Sequence, residues 1–379
     1  MPGASTLHKF IVSALILLSG GVYCGCSGGP APSSNSGGTS FASSNYGQNA
    51  KTAVSTLRTW YSQSTGLYAS PTGWWNAANS ITVLANYARV TGDTSYNSAF
   101  GNTFTAAQKS HPDFINSYYD DQQWWALAWI DAYDLTGNAE YLSMAETIFA
   151  NVAANGWDTG TCGGGVWWNT AKKQKNIITN ELFLEVAAGL ANRTSGAASA
   201  GYLSWAQKEW AWIKSSDMID SQNLINGMNS SDPNACPDQS GPTWTYLQGA
   251  ILGGLVELYR ADQDPTLLPE AEAIAAAAIS HLSVNGILTE PGNLSGGDGP
   301  QFKGIFMRNL MELYQAVPAT STQASQYRSF AEANAQSIWT NDRNSGNDLG
   351  GLWQGPFDSA DATRQTSALD ALIAADAMQ

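Results

Sequence analysis

Two aspartates, Asp120 and Asp121, stand side by side in the run YYDDQQWWALAWIDAYDLTGN. They are the only adjacent acidic pair in a chain that holds 31 Asp and Glu. Like charges held this close resist simultaneous ionisation, so one carboxyl is driven toward its protonated form while its partner stays anionic. The pair therefore offers one acid and one base. Tyr118 and Tyr119 precede it, and Trp124, Trp125 and Trp129 follow. Such rings hold the flat apolar faces of sugars while two carboxyls act on the bond between them. Neighbouring Cα atoms lie about 3.8 Å apart and successive helical residues diverge by about 100 degrees, so the two carboxyls can stand roughly 5 to 7 Å apart. That range overlaps the spacing of about 5 to 5.5 Å used by retaining glycosidases more than the roughly 6.5 to 9.5 Å of inverting ones. The same pair equally suits the first turn of a helix, where aspartate complements unpaired N–H groups.

What must position the pair is a set of helices. From about residue 45 the apolar residues recur at spacings of three and four, with no convincing strand alternation. A phrase repeats along the chain: LANYARVTGDTSYNSAF, WIDAYDLTGNAEYLSMAETIF, AAGLANRTSGAASAGYLSWAQ, LVELYRADQDPTLLPEAEAI and LMELYQAVPATSTQASQYRSF. Each reads as a helix, a short Gly, Asp or Asn turn, and a second helix opening on a cap. A lead helix near 46 to 61 and a closing helix near 362 to 378 complete twelve helices, in six repeats of about 50 to 60 residues. The expectation is an all-α fold, an (α/α)6 barrel of six helical hairpins, over residues 45 to 379.

Short turns alternate with long loops near 62 to 73, 109 to 118, 156 to 174, 216 to 241, 282 to 299 and 341 to 360. Antiparallel packing puts all six on one rim. The first turns of the inner helices then converge on one mouth, and they carry Trp74 and Trp75, Asp120 to Trp125, Asn176 to Glu181, Trp244 to Gln248, Phe302 and Lys303, and Thr363 to Gln365. The rim loops add CGGGVWW at 162 to 168 and DLGGLWQGPFD at 348 to 358, where Gly permits close backbone approach and Trp can stack on a ring. The candidate substrate-binding residues are Trp74, Trp75, Tyr119, Trp124, Trp125, Trp167, Trp168, Asn180, Trp244, Gln248, Lys303 and Trp353. Asn180, Glu181 and Gln248 suit buried polar roles equally well. A cation at Lys303 or Arg308 can hold a carboxylate anionic or simply pair with an acid elsewhere. Asp131 and Asp134 read as helix surface or junction residues.

Composition narrows the partners. With 17 Lys and Arg the net charge is −14, while Trp 15, Tyr 15 and Phe 11 are high for a chain only 13% charged. A polyanion such as nucleic acid is repelled, and an uncharged, ring-rich polysaccharide is suited. Lys9 and the apolar stretch from residue 10 to 18 read as an export signal within residues 1 to 23. Residues 24 to 44, rich in Gly, Ser and Pro, read as a flexible tether. Cys26 is a candidate lipid attachment point, the one route to a membrane, and simple secretion is the alternative. Cys162 and Cys236 remain in the exported body, where an oxidising compartment allows a disulfide. No His or Cys spacing suggests a metal, and the Asp and Asn residues around 232 to 238 match no calcium pattern. No cofactor is implied.

The strings YYDDQQWWALAWIDAYDLTGNAEYL, WDTGTCGGGVWW, KNIITNELFLEVAAGL, TWTYLQGAILGGL, FKGIFMRNL and WQGPFD together resemble glycoside hydrolase family 76, the endo-α-1,6-mannanases. The resemblance runs over most of the chain from about residue 45. It implies an (α/α)6 barrel and retaining hydrolysis of α-1,6-mannan, with Asp120 as nucleophile and Asp121 as acid/base. In TYLQG, Leu247 stands where the family often places a polar residue. The expectation is an exported, monomeric endo-mannanase acting on mannan. The alternatives are a mannan transglycosylase of the same family and a non-catalytic glycan-binding surface lipoprotein.

Overall fold

The computed structural model describes residues 45–228, 236–292, 294 and 297–379. The expected leader and tether, with Cys24 and Cys26, lie outside the described residues, as does Asp232. Twelve α-helices run through the described residues: α1 (Tyr46–Leu57), α2 (Trp74–Thr91), α3 (Ser98–Ala106), α4 (Tyr119–Thr136), α5 (Ala139–Asn155), α6 (Ile177–Arg193), α7 (Gly196–Ser215), α8 (Thr245–Asp262), α9 (Leu267–His281), α10 (Phe302–Ala316), α11 (Thr322–Asn341) and α12 (Ala362–Ala377). The even-numbered helices pack in sequence, α2 on α4 and so on to α12, which returns to α2. They form the inner wall of a closed barrel, and the odd-numbered helices lie outside it. This is the (α/α)6 arrangement. The lead helix is shorter than expected, ending at Leu57 and continuing as a 3-10 turn, Arg58–Trp60. Two minimal hairpins, Tyr61–Ser62 with Leu67–Tyr68 and Ser283–Val284 with Ile287–Leu288, fold inside the long loops.

The recurring phrase explains the tight junctions. α2 and α4 each end on a glycine in the left-handed region, Gly92 at φ 73° and Gly137 at φ 69°, where a side chain would be strained. Asn138 then caps α5 by accepting from the Glu140 N–H. Inner helices are buried nearly all round: Trp125, Trp129, Phe183, Leu252 and Phe306 have no exposed surface. An unbroken apolar wall of this kind is what a helix needs when neighbours cover every face.

At the end opposite the long loops, ion pairs stitch five inner helices. Arg89 meets Glu312 at 2.6 Å, Arg260 bridges Glu312 and Glu257 at 2.8 Å each, and Arg193 joins Glu257 at 2.8 Å to Asp134 at 2.6 Å. A partly open cavity of about 250 Å³ lies within this belt, lined by Asp131, Glu185 and Arg308 among others. Asp131 and Asp134, read from sequence as helix surface or junction residues, lie at the base of the barrel in the last turns of α4; Asp134 is exposed and Asp131, half-buried, lines the cavity.

Candidate active site

Asp120 and Asp121 occupy the first turn of α4, directly after a rim loop. Asp120 Oδ2 accepts from the Trp168 indole at 3.0 Å, while its Oδ1 is buried without a partner. Asp121 Oδ2 accepts from the Asn116 amide at 2.6 Å. Burial pushes both carboxyls well above the usual range, and repulsion between the two adds to it at Asp120. A pair raised in this way can hold one proton between them, which supplies one acid and one base. Asp120 is raised the further, to about 8 against about 6 for Asp121, although the Trp168 donor lowers the first and the Asn116 donor the second.

Rings form the walls. Trp74 packs on His111 with centroids 4.2 Å apart and on Trp125 at 4.8 Å. Trp75 stacks between Trp124 at 5.7 Å and Phe302 at 6.3 Å, and Phe302 in turn stacks on Tyr246 at 4.1 Å. Trp168 lies 5.5 Å from Tyr118, a large hydrophobic residue left 41% exposed, and Trp244 meets Phe302 edge-on at 5.5 Å. Of the sequence candidates, Trp74, Trp75, Trp168 and Trp244 keep some exposure, and Trp168 bonds Asp120 directly. A rim cavity of about 690 Å³, walled by Glu290, Lys303, Asp358, Asp361 and Arg364 among others, opens at the same end.

Other candidates are placed elsewhere. Trp125 and Trp353 have no exposed surface, and Tyr119, Trp124 and Trp167 retain only 2%, 4% and 7%, so burial takes Trp125 and Trp353 out of the set that can face a sugar. Lys303, 1% exposed, donates to the Gly351 carbonyl at 2.6 Å and sits over the Trp353 ring. Burial pushes its ammonium down to about 8. It fastens the 342 to 361 loop and does not reach the aspartates. Arg308 donates to Asn79 at 2.6 Å inside the barrel.

Asn180 and Gln248 share a structural task. Each is the fourth residue of its helix, and each wraps the backbone of one loop residue with its carboxamide. Asn180 accepts from the Val166 N–H at 2.7 Å and donates to the Val166 carbonyl at 3.1 Å. Gln248 accepts from the Ile225 N–H at 3.0 Å and donates to the Ile225 carbonyl at 2.6 Å. Gln365, the fourth residue of α12, accepts from Leu349 at 2.8 Å, and Gln122, the fourth of α4, donates to the Asn116 carbonyl at 2.8 Å. A carboxamide carries both an acceptor and donors, which is what a lone loop residue inside a protein requires. The Gln122 bond fixes the residue that holds Asp121.

The CGGGVWW loop is fastened three further ways. Cys162 and Cys236 form a disulfide with Cα atoms 5.6 Å apart. The buried Lys175 ammonium donates to the carbonyls of Asp158, Thr161 and Gly164 at 2.6 to 2.8 Å. Gly164 and Gly165 lie against Trp212, where an added Cβ would come within 2.7 and 2.6 Å of its ring. These ties aim Trp168 at Asp120.

Asn116, Tyr246 and Asp298 also belong to this mouth and were not singled out by sequence. Asp298 accepts from the Trp75 indole at 2.8 Å. Position on a rim loop or first turn is the only signal that could have found them, and that signal is shared by many other residues.

A closed helical barrel carrying two carboxyls and a ring of aromatics at one mouth defines a helical-barrel glycosidase scaffold. The chain belongs to glycosyl hydrolase family 76, whose model matches residues 43–379. It is 26% identical over 303 residues to the mannan endo-1,6-alpha-mannosidase DFG5 of Candida albicans, covering 73% of this chain and 65% of that protein's length. It is 26% identical over 342 residues to DCW1 of Saccharomyces cerevisiae, of the same description, covering 83% and 74%. Among solved structures it resembles an alpha-1,6-mannanase of Salegentibacter sp., with a TM-score of 0.80 at 22% identity, covering 88% of this chain and 100% of that one. Among the described residues no cluster of three or more His, Cys, Asp or Glu could hold a metal ion, and no helix is long and apolar enough to cross a membrane.

Proposed function

We propose that this protein is an exported, retaining endo-α-1,6-mannanase. The observation that carries the reading is the adjacent pair Asp120 and Asp121, each held by its own donor, with the half-buried Trp168 indole bonded to Asp120. Family membership supports it. So does the Salegentibacter structure, an inactive variant with two consecutive aspartates changed to asparagine, in complex with α-1,6-mannotriose.

Asp120 attacks the anomeric carbon as a carboxylate, and the glycosidic C–O bond breaks as Asp121 passes its proton to the departing oxygen-6 of the next mannose. A glycosyl ester on Asp120 results. Asp121, now anionic, takes a proton from water; the hydroxide attacks the same carbon, frees Asp120 and restores the α configuration. Trp74, Trp75, Trp168 and Trp244 provide ring faces for the chain. The leader and tether read in residues 1 to 44 would place the barrel outside the cell or on its surface. The mass of the mature N-terminus separates secretion from lipid attachment at Cys26.

Linear α-1,6-mannan incubated with the protein tests the reading, with products followed by chromatography and the first anomer by NMR. Short mannooligosaccharides appearing first as the α anomer support it. The β anomer first would reject retention, elongated products would make the protein a transglycosylase, and binding without turnover would leave only a glycan-binding role.

A further inference from the structure

Asp121 stands at the end of a chain of carboxamides that reaches the outer ring of helices. Asn116 Nδ2 donates to Asp121 Oδ2 at 2.6 Å, and Asn116 Oδ1 accepts from the Tyr118 N–H at 2.9 Å. Gln122, which has no exposed surface, donates from Nε2 to the Asn116 carbonyl at 2.8 Å. Its Oε1 accepts at 2.8 Å from Nδ2 of Asn151, on the outer helix α5. Asn151 Oδ1 in turn accepts at 2.9 Å from Nδ2 of Asn155, the exposed last residue of α5. This chain has a direction. A carboxamide has one accepting and one donating end, whereas a backbone carbonyl or an ionised carboxylate can only accept. The Asn116 carbonyl therefore demands the Gln122 nitrogen. That leaves the Gln122 oxygen facing Asn151, which must present its own nitrogen. Turning any one amide end for end sets like atoms against each other. Asn116, Gln122, Asn151 and Asn155 border a cavity of about 260 Å³, with Lys172 on its wall, so hydrogen bonds rather than close packing hold the amides in this sense.

Resting on the reading of Asp121 as acid/base, we propose that Asn151 is a positioning residue for it, acting from the outer helix through Gln122 and Asn116. With Asn151 in place, Gln122 grips the Asn116 carbonyl, the loop before α4 keeps one conformation, and the Asn116 amide stays on Asp121. Without it, the buried Gln122 oxygen loses its donor, the Gln122 amide is free to turn, and the grip on Asn116 slackens. A donor to a carboxylate favours the anion, and the Asn116 donor lowers Asp121 against its burial. Slackening that bond therefore raises Asp121. The other titratable groups that bear on the pair's second member are Asp120 beside it and Asp298, and neither belongs to the carboxamide chain.

Selective ¹³C labelling of aspartate lets Asp121 be titrated by NMR in an Asp120→Asn background, its signal assigned by its loss in Asp121→Asn. The titration needs no substrate, so its outcome stands apart from the proposed function, on which mannan turnover by the unmutated protein reports. Asn116→Ala should raise the Asp121 pKa by about one unit and Asn151→Leu by about half a unit. The two together should raise it no further than Asn116→Ala alone, because a residue that acts through Asn116 then has nothing left to act on. Asn151→Ala carries the same prediction where leucine prevents folding. An Asp121 pKa unmoved by the loss of Asn151, with only the melting temperature lowered, overturns the inference, and so do shifts that add in the double variant. With Asp120 intact and mannan turned over, Asn151→Leu should lower kcat about tenfold while KM stays within about twofold; an unchanged kcat overturns it as well.

Discussion

Each aspartate has one neutral donor, and the donors come from different loops: Trp168 from the loop after α5 and Asn116 from the loop before α4. On the proposed mechanism, Asp121→Asn removes the proton donor while preserving shape, and kcat on mannan should fall by about a hundred- to ten-thousand-fold. A fall of less than tenfold in steady-state assays would dismiss Asp121 as the acid. Trp168→Phe keeps a ring at the wall but removes the indole N–H. Losing a hydrogen bond to a charged group of this kind costs about 1.5 to 3 kcal/mol, so kcat/KM should drop roughly ten- to hundredfold. If KM alone changes, Trp168 is a sugar platform without influence on Asp120. The double aspartate was legible in the sequence because adjacency is itself a statement about electrostatics. Asn116 and Asp298 were not, since a single polar residue in a loop acquires meaning only when folding brings a partner to it.

At the scale of elements, the fourth residue of an inner helix recurs as a loop clamp in Gln122, Asn180, Gln248 and Gln365. Asn180→Leu leaves the Val166 N–H and carbonyl buried without partners and should destabilise the fold by about 1 to 3 kcal/mol for each stranded group, measurable by denaturant unfolding. Turnover should fall as well, because Val166 is two residues from Trp168. Stability unchanged within error would discard the clamp. The disulfide spans 74 residues, and in the chain-entropy picture closing such a loop stabilises by roughly 4 kcal/mol. Paired Cys162→Ser and Cys236→Ser changes should lower the melting temperature accordingly. Turn chemistry such as VTGD and LTGN marked the hairpins clearly, and the long loops fell near their expected limits. The hairpins hidden within two of them were too short to leave an alternating pattern.

Across the whole molecule, burial raises many carboxyls. Asp131 and Asp370 are pushed up to about 7, Glu185 and Asp342 to about 8, and Glu181 and Glu209 well above the ordinary range. These groups keep their protons in the fold but ionise near pH 4 once unfolded. The stability they contribute is present in acid and is lost as pH rises from about 4 through 7 to 8. Glu257, held down to about 2 by Arg193 against its burial, acts in the other sense and costs stability only as pH falls below about 4. The melting temperature should therefore be higher at pH 5 than at pH 8, by on the order of 5 °C or more. A calorimetric Tm that is flat or rising over that interval would show these acids to be charged in the fold.

The sequence by itself determined the helical class, the six-hairpin count, the rim that carries the long loops and the adjacent acids. All of these are properties of spacing along one chain, in period, turn chemistry and adjacency. Only the tertiary structure decided which rings face the groove and which fill the core, as with Trp168 against Trp125. It alone showed that Asn180 and Gln248 fasten loops, and that Asp298 joins the site from 177 positions beyond Asp121. A side chain's role depends on what surrounds it, and a closed barrel brings together first turns that sequence keeps far apart.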